Sequence, residues 1–441
     1  MKAIGKLLAA EVIMICLGFV LLVFSYLIPK DAIENHVRES VKVFEEEGTY
    51  PQLVAGFVDS QLDNWTDALM LLTAVYQDSE NNVLRQAVLN KRSVIEGKNP
   101  AETLVSVYSQ EETRDVIKSY SYGRYWHGYL LFLKPLLVFL NYGEIRYVNM
   151  TVQLGFMFYL IYLFVKHNKA YYGIPFLFYV LSINYVASAM SLQFSSILLL
   201  TMLSMVVLLL NKEHYLENTY LVVLHFLIVG CLTSYFDLLT YPLHTLAIPM
   251  ILWLAISGKQ RYKTAIKLVI SWGNGYGGMW IGKWIWGSAV TGTNLFGDVL
   301  RQAKLRTGYT ASERSFTYID MMKRIFRAIN HPILFMVLVA ALLYILFCIL
   351  RHSVEVDKGF MLLCFVIAVM PFCWYAIMGN HSYWHFWFTY RELSIPVFAV
   401  MMAAVSCLDC VKKRHMKAVG IKNEQNQIIE ERRDQCDHSD L

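Results

Sequence analysis

The sequence predicts an all-α fold: a polytopic membrane protein of about ten to twelve transmembrane helices with a long, helical first external loop. Three observations predict it. The 441 residues are 56% hydrophobic and only 17% charged, far from the balance of soluble domains. The apolar residues fall into runs of about 18 or more with few charges, the length that crosses a bilayer core. Lys and Arg gather in short segments between those runs, as they do in cytoplasmic loops.

The opening MKAIGKLLAAEVIMICLGFVLLVFSYLIPKD combines a positive start with about 20 apolar residues and no small-residue cleavage site, so it predicts a retained first span over 7–28. Further spans are predicted over 124–141, 146–166, 171–188, 191–211, 218–235, 237–257, 265–289, 331–351, 359–378 and 388–410. Two polar segments, 29–123 and 290–330, interrupt them. Residues 1–410 thus form one transmembrane domain carrying two external loops, and 411–441 form a charged cytoplasmic tail expected to be disordered.

Lys2 and Lys6 precede the first span, and Asp31 and Glu34 follow it, which puts the amino terminus in the cytoplasm and 29–123 outside. Lys412, Lys413 and Arg414 put the far end inside as well, and Lys259, Arg261, Lys263 and Lys267 mark another inner loop. Eleven spans cannot join two inside ends. The conflict lies between 124 and 190, where Lys134 and Pro135 interrupt one run and 171–188 is barely long enough; either one of these is re-entrant or interfacial, or the charge rule fails at Lys166 and Lys169. Short loops and cysteine usage fit a bacterial plasma membrane. Within 29–123, stretches such as IENHVRESVKVFEEE have mixed charge and helical spacing and fit helices lying along the membrane surface rather than a compact domain.

Two classes are set aside. A net charge of +5 without a basic stripe between exposed aromatics gives no nucleic-acid surface. Of eight cysteines, Cys16, Cys231, Cys348, Cys364, Cys373 and Cys407 sit within or at the ends of apolar runs as small core residues. The Cys407/Cys410 pair lacks the second ligand pair of a zinc site.

Chemistry-bearing residues cluster in four places. In DSQLDNWTDALML, Asp59, Asp63 and Asp67 would share one face of a helix. Like charges at that spacing cost a few tenths of a kcal/mol per pair. The register therefore means a solvated face with an N-cap, or carboxylates that serve as a base or hold a divalent cation. In SYSYGRYWHGYLLFLKP an aromatic belt accounts for Tyr122, Tyr125 and Trp126, whereas Arg124 and His127 suit an anion partner better. In LTSYFDLLTYPLHTLAIP, Asp237 either opens a turn or serves a site, with Tyr241 and His244 near it. MGNHSYWHFWFTYRELSIP packs His381, His385, Tyr390 and Arg391 into one external loop. There Arg391 either pairs with Glu392 or holds a lipid-linked phosphate, and the histidine pair lacks a zinc-protease pattern. Arg301, Lys304 and Arg306 make 290–330 a second basic region of mostly solvated charge, and the glycines of SWGNGYGGMWIG mark close helix packing.

One apolar span, a long external loop with acidic residues, the aromatic re-entry YGRYWHGYLLFLKPLLVFLNYGEIR and then many short-looped spans resemble the C superfamily of glycosyltransferases. Protein O-mannosyltransferases and lipid A aminoarabinose transferases share that plan. The resemblance implies a sugar taken from a polyprenyl-phosphate donor at the outer face and passed to a glycan, lipid or protein acceptor. It implies Asp63, then Asp67, as the acid of the first external loop that serves as base or metal ligand, with a divalent cation at Asp63 and Asp67 if the site uses one. It implies Arg391 and Arg124 on the donor phosphate. The residues themselves offer Tyr122, His127, His381, His385 and Tyr390 as further substrate contacts, and Asp237 to orient the sugar or assist the base. This chain carries Asp63–Asn64 and Thr66–Asp67 where the family carries an adjacent Asp–Glu pair. Two other functions fit the layout: an envelope polysaccharide polymerase or ligase, and a flippase or transporter without covalent chemistry. Transporters place charge at mid-span, whereas here charge gathers at one surface.

Overall fold

The computed structural model describes residues 2–109, 117–258, 261–311, 314–329, 332–350 and 357–407. The tail 411–441, Cys410 and Lys259 lie outside the described residues, as does the side chain of Cys348. With 78% helix and 4% strand, the chain is all-α.

Helix α1 (Lys2–Ser25) leads into the first polar segment, which folds as α2 (Glu34–Glu47), α3 (Asn64–Val75), α4 (Val83–Leu89) and α5 (Pro100–Tyr108). Strands β1 (Lys91–Ile95) and β2 (Ile117–Ser121) pair antiparallel with Ser93 opposite Ser119. Next come α6 (Leu130–Leu137), α7 (Tyr142–Lys166), α8 (Gly173–Ser182), α9 (Tyr185–Met190) and α10 (Leu192–Leu210). They are followed by α11 (Lys212–Glu217), α12 (Thr219–Phe236), α13 (His244–Ser257) and α14 (Arg261–Thr291). The second polar segment carries α15 (Leu295–Thr307), the pair β3 (Thr310–Ala311) and β4 (Arg314–Ser315), and α16 (Tyr318–Ala328). The chain then forms α17 (Pro332–Leu350), α18 (Lys358–Ile377), α19 (Gly379–Trp384), α20 (Phe386–Thr389) and a last helix, α21, over 394–407.

Among the described residues six helices are long and apolar enough to cross a membrane: α1, α7, α10, α12, α18 and the run Phe386–Cys407. The run at 124–141 does not make a span. Its helix covers only the 8 residues Leu130–Leu137, about 12 Å of rise against a hydrocarbon core of roughly 30 Å. Pro135 removes an amide within it, and His127 (φ 56°) turns the chain before it. The run at 171–188 breaks where Asn184 (φ 51°) caps α9 by accepting from the Ala187 amide.

Hydrogen bonds place helix ends together. Asp67 of α3 accepts from the Leu192 amide at the start of α10 and from Tyr142 at the start of α7. Asn184, past the end of α8, donates to Asp59 (2.9 Å), Gly128 donates to the Tyr235 carbonyl of α12 (2.9 Å), and Lys283 in the second half of α14 donates to Asn90 (2.8 Å). All of these meet at the end of the bundle that carries the first polar segment. At the opposite end, Arg261 opens α14, donating to Leu254 of α13 and pairing with Asp357 before α18.

The first polar segment packs against the helices of the bundle. Val37, Val41 and Phe44 form the inward stripe of α2, and they join Leu22 of α1, Leu71, Leu104 and Tyr142 in one buried cluster. Glycines set the tightest helix contact: a methyl on Gly275 of α14 would overlap the Leu227 carbonyl of α12, and one on Gly230 would overlap the Trp272 carbonyl.

Candidate functional site

The three aspartates of DSQLDNWTD do not share a helix face, because the helix starts too late. Asp59 closes a 3-10 turn, and Asp63 is the N-cap of α3, accepting from the Thr66 amide and hydroxyl at 3.0 Å each. The Asp63 side chain is 2% exposed, and burial pushes its carboxyl up to about 7, against the pull of Thr66 and Arg391. Asp67 is already occupied. It accepts from the Tyr142 hydroxyl (2.6 Å) and from the Leu192 and Gln193 amides (2.9 and 3.0 Å), where the positive end of α10 favours an anion. Arg146 ties the same group to Glu47 and Asn64. Asp67 is thus placed as an anchor between α3, α7 and α10, each of its oxygens accepting at least one hydrogen bond. Among the described residues, no group of three or more His, Cys, Asp or Glu side chains gathers as a metal site.

Asp237 ends α12 and opens a tight turn, accepting from the Thr240 amide and hydroxyl, and burial raises its carboxyl to about 6. The turn carries Leu239 at φ 68°, a conformation unusual for a side chain of that size. The Leu239 carbonyl accepts from His381 Nε2 (2.8 Å), and Arg306 donates to His381 Nδ1 (2.7 Å). This chain of donors requires a neutral His381 with its proton on Nε2, and burial supplies that by holding the imidazole far below its usual range.

Beside this turn lies a cavity of about 250 Å³. Tyr276, Trp280 and Trp284 of α14 stand four residues apart along one wall; Arg124, Arg306 and Trp374 complete the lining that matters here. Arg124 stacks on Tyr122 (4.4 Å) and reaches Asp298 (3.4 Å). Arg124 Nε, Arg306 Nε and Trp374 Nε1 are buried without a partner, and the Tyr276 hydroxyl lies beside Trp280. Three unpartnered donors, on residues around one cavity that no acid lines, fit a ligand made of acceptors, such as an oxyanion. Asp237 stands behind this wall, within electrostatic reach of Tyr276 and Tyr241. An apolar groove of about 530 Å³ along α18, lined by Val366, Met370, Cys373 and Ile377, shares Trp374 with the lining of the cavity.

Arg391 occupies a separate, enclosed position. It is fully buried, stacked on Phe194 (4.1 Å), and donates from Nε to the Ile183 carbonyl (3.0 Å) and Ser188 (3.1 Å). Its Nη2 has no partner. It does not pair with Glu392, which turns toward the Leu243 amide (3.1 Å). Tyr390 donates to the Asp59 carbonyl (3.2 Å), so Arg391 and Asp63 share one end of the bundle and lie within electrostatic reach of each other. His127 is neutral through burial, its ring spent on Tyr129 and the Tyr122 carbonyl, and it shapes the turn that aims Arg124. His385 stacks on Phe388, 4.9 Å from the His381 ring.

Of the residues the sequence singled out, Arg124 lines the cavity, with Tyr122 stacked on it and His381 holding Arg306, while Asp237 stands behind it; Asp63, Tyr390 and Arg391 form a neighbouring group, and Asp67 a structural one. The sequence reading passed over Tyr276, Trp280, Trp284 and Trp374, and took Arg306 as solvated charge. The signal was present as aromatic residues at every fourth position through GYGGMWIGKWIW. No protein-family model, curated protein or solved structure matches this chain.

Proposed function

We propose that this protein is an integral membrane glycosyltransferase of a bacterial plasma membrane. It takes a sugar from a polyprenyl-phosphate donor and passes it to an envelope glycan, lipid or protein at the outer face. The observation that carries this reading is a pair of neighbouring spaces that share Trp374 in their walls: a cavity lined by Arg124, Arg306 and Trp374, whose Nε and Nε1 groups are unpartnered, and an apolar groove along α18. A prenyl phosphate has that shape, with an anionic head on a long apolar tail. Membership of the C superfamily is part of the same proposal.

The helix directions support a count of ten passes: α1, α7, the α8 stretch, α10, α12, α13, α14, α17, α18 and the last helix. Leaving out α6 makes the number even, so both ends of the chain fall on the cytoplasmic side and the cavity faces outward.

In transfer, the bond from the anomeric carbon to the phosphate oxygen breaks as the bond to the acceptor oxygen forms. Arg124 and Arg306 stabilise the negative charge that stays on the leaving phosphate. The acceptor proton passes to a carboxylate, and Asp63 and Asp237 are the two proposed to take it. Turnover of prenyl-phosphate sugars by the purified protein, with Asp63→Asn and Asp237→Asn alongside, tests this. At least one variant is expected to lose about 100-fold or more in turnover, the usual contribution of a general base. Sugar transfer unchanged in both variants, or movement of intact donor across proteoliposomes without release of its sugar, would refute the reading.

A further inference from the structure

Going round α16, three kinds of surface follow one another. Met321, Ile325 and Ala328 are buried in a cluster with Tyr375, Leu393 and Leu334 at the start of α17. At 3.6 residues per turn the next flank holds Ile319 and Phe326, beside Tyr318 and Met322, and the one after it Lys323 and Arg327. Ile319 is 64% exposed and Phe326 42%. The last side carries Asp320 and Arg324. Asp320 accepts from the Thr317 amide and hydroxyl and is within electrostatic reach of Lys323. Arg324 lies over the Tyr383 and Phe386 rings, at 4.7 and 4.4 Å, and so fixes the roll of the helix. Among the described residues neither Lys323 nor Arg327, both exposed, makes an ion pair.

Two features set the depth of the helix. The Tyr318 hydroxyl donates to the Phe372 carbonyl of α18 (3.2 Å). Phe372 precedes the end of α18 at Ile377 by five residues, so it lies about 7.5 Å inside that end at 1.5 Å per residue. At the other end of α16, only 329–331 separate it from Pro332, the first residue of α17. The helix therefore crosses from one apolar helix to another just inside their ends. An amphipathic helix at a bilayer surface sinks its apolar flank about 5–10 Å into the headgroup boundary, which is the same depth.

We infer that α16 lies in the outer headgroup layer and binds an anionic phospholipid, with Ile319 and Phe326 against its acyl chains and Lys323 and Arg327 on its phosphate. The order of the flanks argues for this occupant. Open apolar side chains stand between the buried face and the cations, and a bilayer surface presents hydrocarbon beside phosphate in that order. Two cations without an ion-pair partner favour a headgroup of net negative charge over a zwitterionic one, whose ammonium group they repel. The inference rests on α17 and α18 being membrane passes with this end outside, as proposed above; it does not need the transfer chemistry.

The test places a photo-crosslinking side chain on the apolar flank. The purified full chain carrying Phe326→benzoylphenylalanine is reconstituted in vesicles of equal phosphatidylglycerol and phosphatidylcholine, irradiated, and its adducts are read by mass spectrometry. Lipid should attach at position 326, with phosphatidylglycerol exceeding phosphatidylcholine about tenfold and the ratio falling as salt rises. Adding Lys323→Gln/Arg327→Gln should bring the ratio near one while lipid adducts persist, because the acyl contact remains. Excess inorganic phosphate at constant ionic strength should leave the ratio unchanged. Equal adducts of the two lipids before the double substitution, a ratio that the double substitution does not move, or a preference abolished by inorganic phosphate would overturn the assignment of an anionic lipid. Leu362→benzoylphenylalanine, on the exposed side of α18, marks the bilayer independently. Lipid adducts at 362 with none at 326 would overturn the position of α16 alone, and none at either would overturn the membrane passes along with it.

Discussion

Replacing Asp67 by alanine separates a structural carboxylate from a chemical one. In the folded protein its two oxygens accept from the Tyr142 hydroxyl and from the Leu192 and Gln193 amides, at 2.6, 2.9 and 3.0 Å, with the side chain wholly buried. Alanine leaves these donors without a partner in an interior where each unsatisfied group costs about 1–3 kcal/mol. One donor recovers part of that by local movement, so a loss of about 4 kcal/mol is expected. The unfolding entropy of roughly 2.1 cal/mol/K per residue gives about 0.9 kcal/mol/K over 441 residues, so melting in detergent should fall by about 4 °C. Amide exchange should quicken at Leu192 and Gln193 before it does elsewhere in α10, because those amides lose their acceptor. Asp67→Asn keeps one acceptor oxygen and should cost about half as much. An alanine variant that melts like the parent and exchanges no faster at Leu192, yet has lost all transfer, would show that Asp67 acts on substrate and that the anchor account is wrong.

Other outcomes follow from the same geometry. Asp63 binds its proton more tightly folded, at about 7, than unfolded, so its contribution to stability is complete below about pH 4 and is lost as pH rises through 7. Melting should therefore fall from pH 5 to pH 8 by more in the parent than in Asp63→Asn; equal falls would show that this carboxyl is not the titrating group. Gly275→Ala drives a methyl into the Leu227 carbonyl and should cost about 1–3 kcal/mol, read as lower melting and poorer recovery from membranes; a neutral effect would mean that α12 and α14 are not in backbone contact. His381→Ala frees Arg306 from its tether, so the KM for a prenyl-phosphate donor should rise about tenfold with kcat nearly held. A fall confined to kcat would place His381 at the reacting atoms instead.

Much of the helical layout was legible because it depends on length and hydropathy. α1, α7, α10, α12 and α18 fall where their apolar runs predicted, and Gly275, Gly278 and Gly282 of α14 pack against neighbouring helices, whereas Gly273 and Gly277 face open space. The run at 124–141 misled because mean hydropathy cannot register a chain turned by His127 and interrupted at Pro135. The aspartates at spacing four misled for a related reason. Helical phase means something only within one helix, and Asp63 begins α3 instead of lying inside it. Arg306 looked like solvated charge because its partner, His381, is 75 residues away in the chain.

By itself, then, the sequence determined the class of fold, the position of the apolar helices and the set of ionisable groups in the polar segments. These follow from local composition and from the length needed to cross hydrocarbon. The tertiary structure alone decided what each of those groups does: Asp67 filled by amides 125 residues further on, Arg391 enclosed, Arg124 and Arg306 brought to one aromatic cavity. The physical reason is that a carboxylate or guanidinium is defined by its hydrogen-bond partners and its access to water, and both come from segments far apart in the chain that only packing brings together.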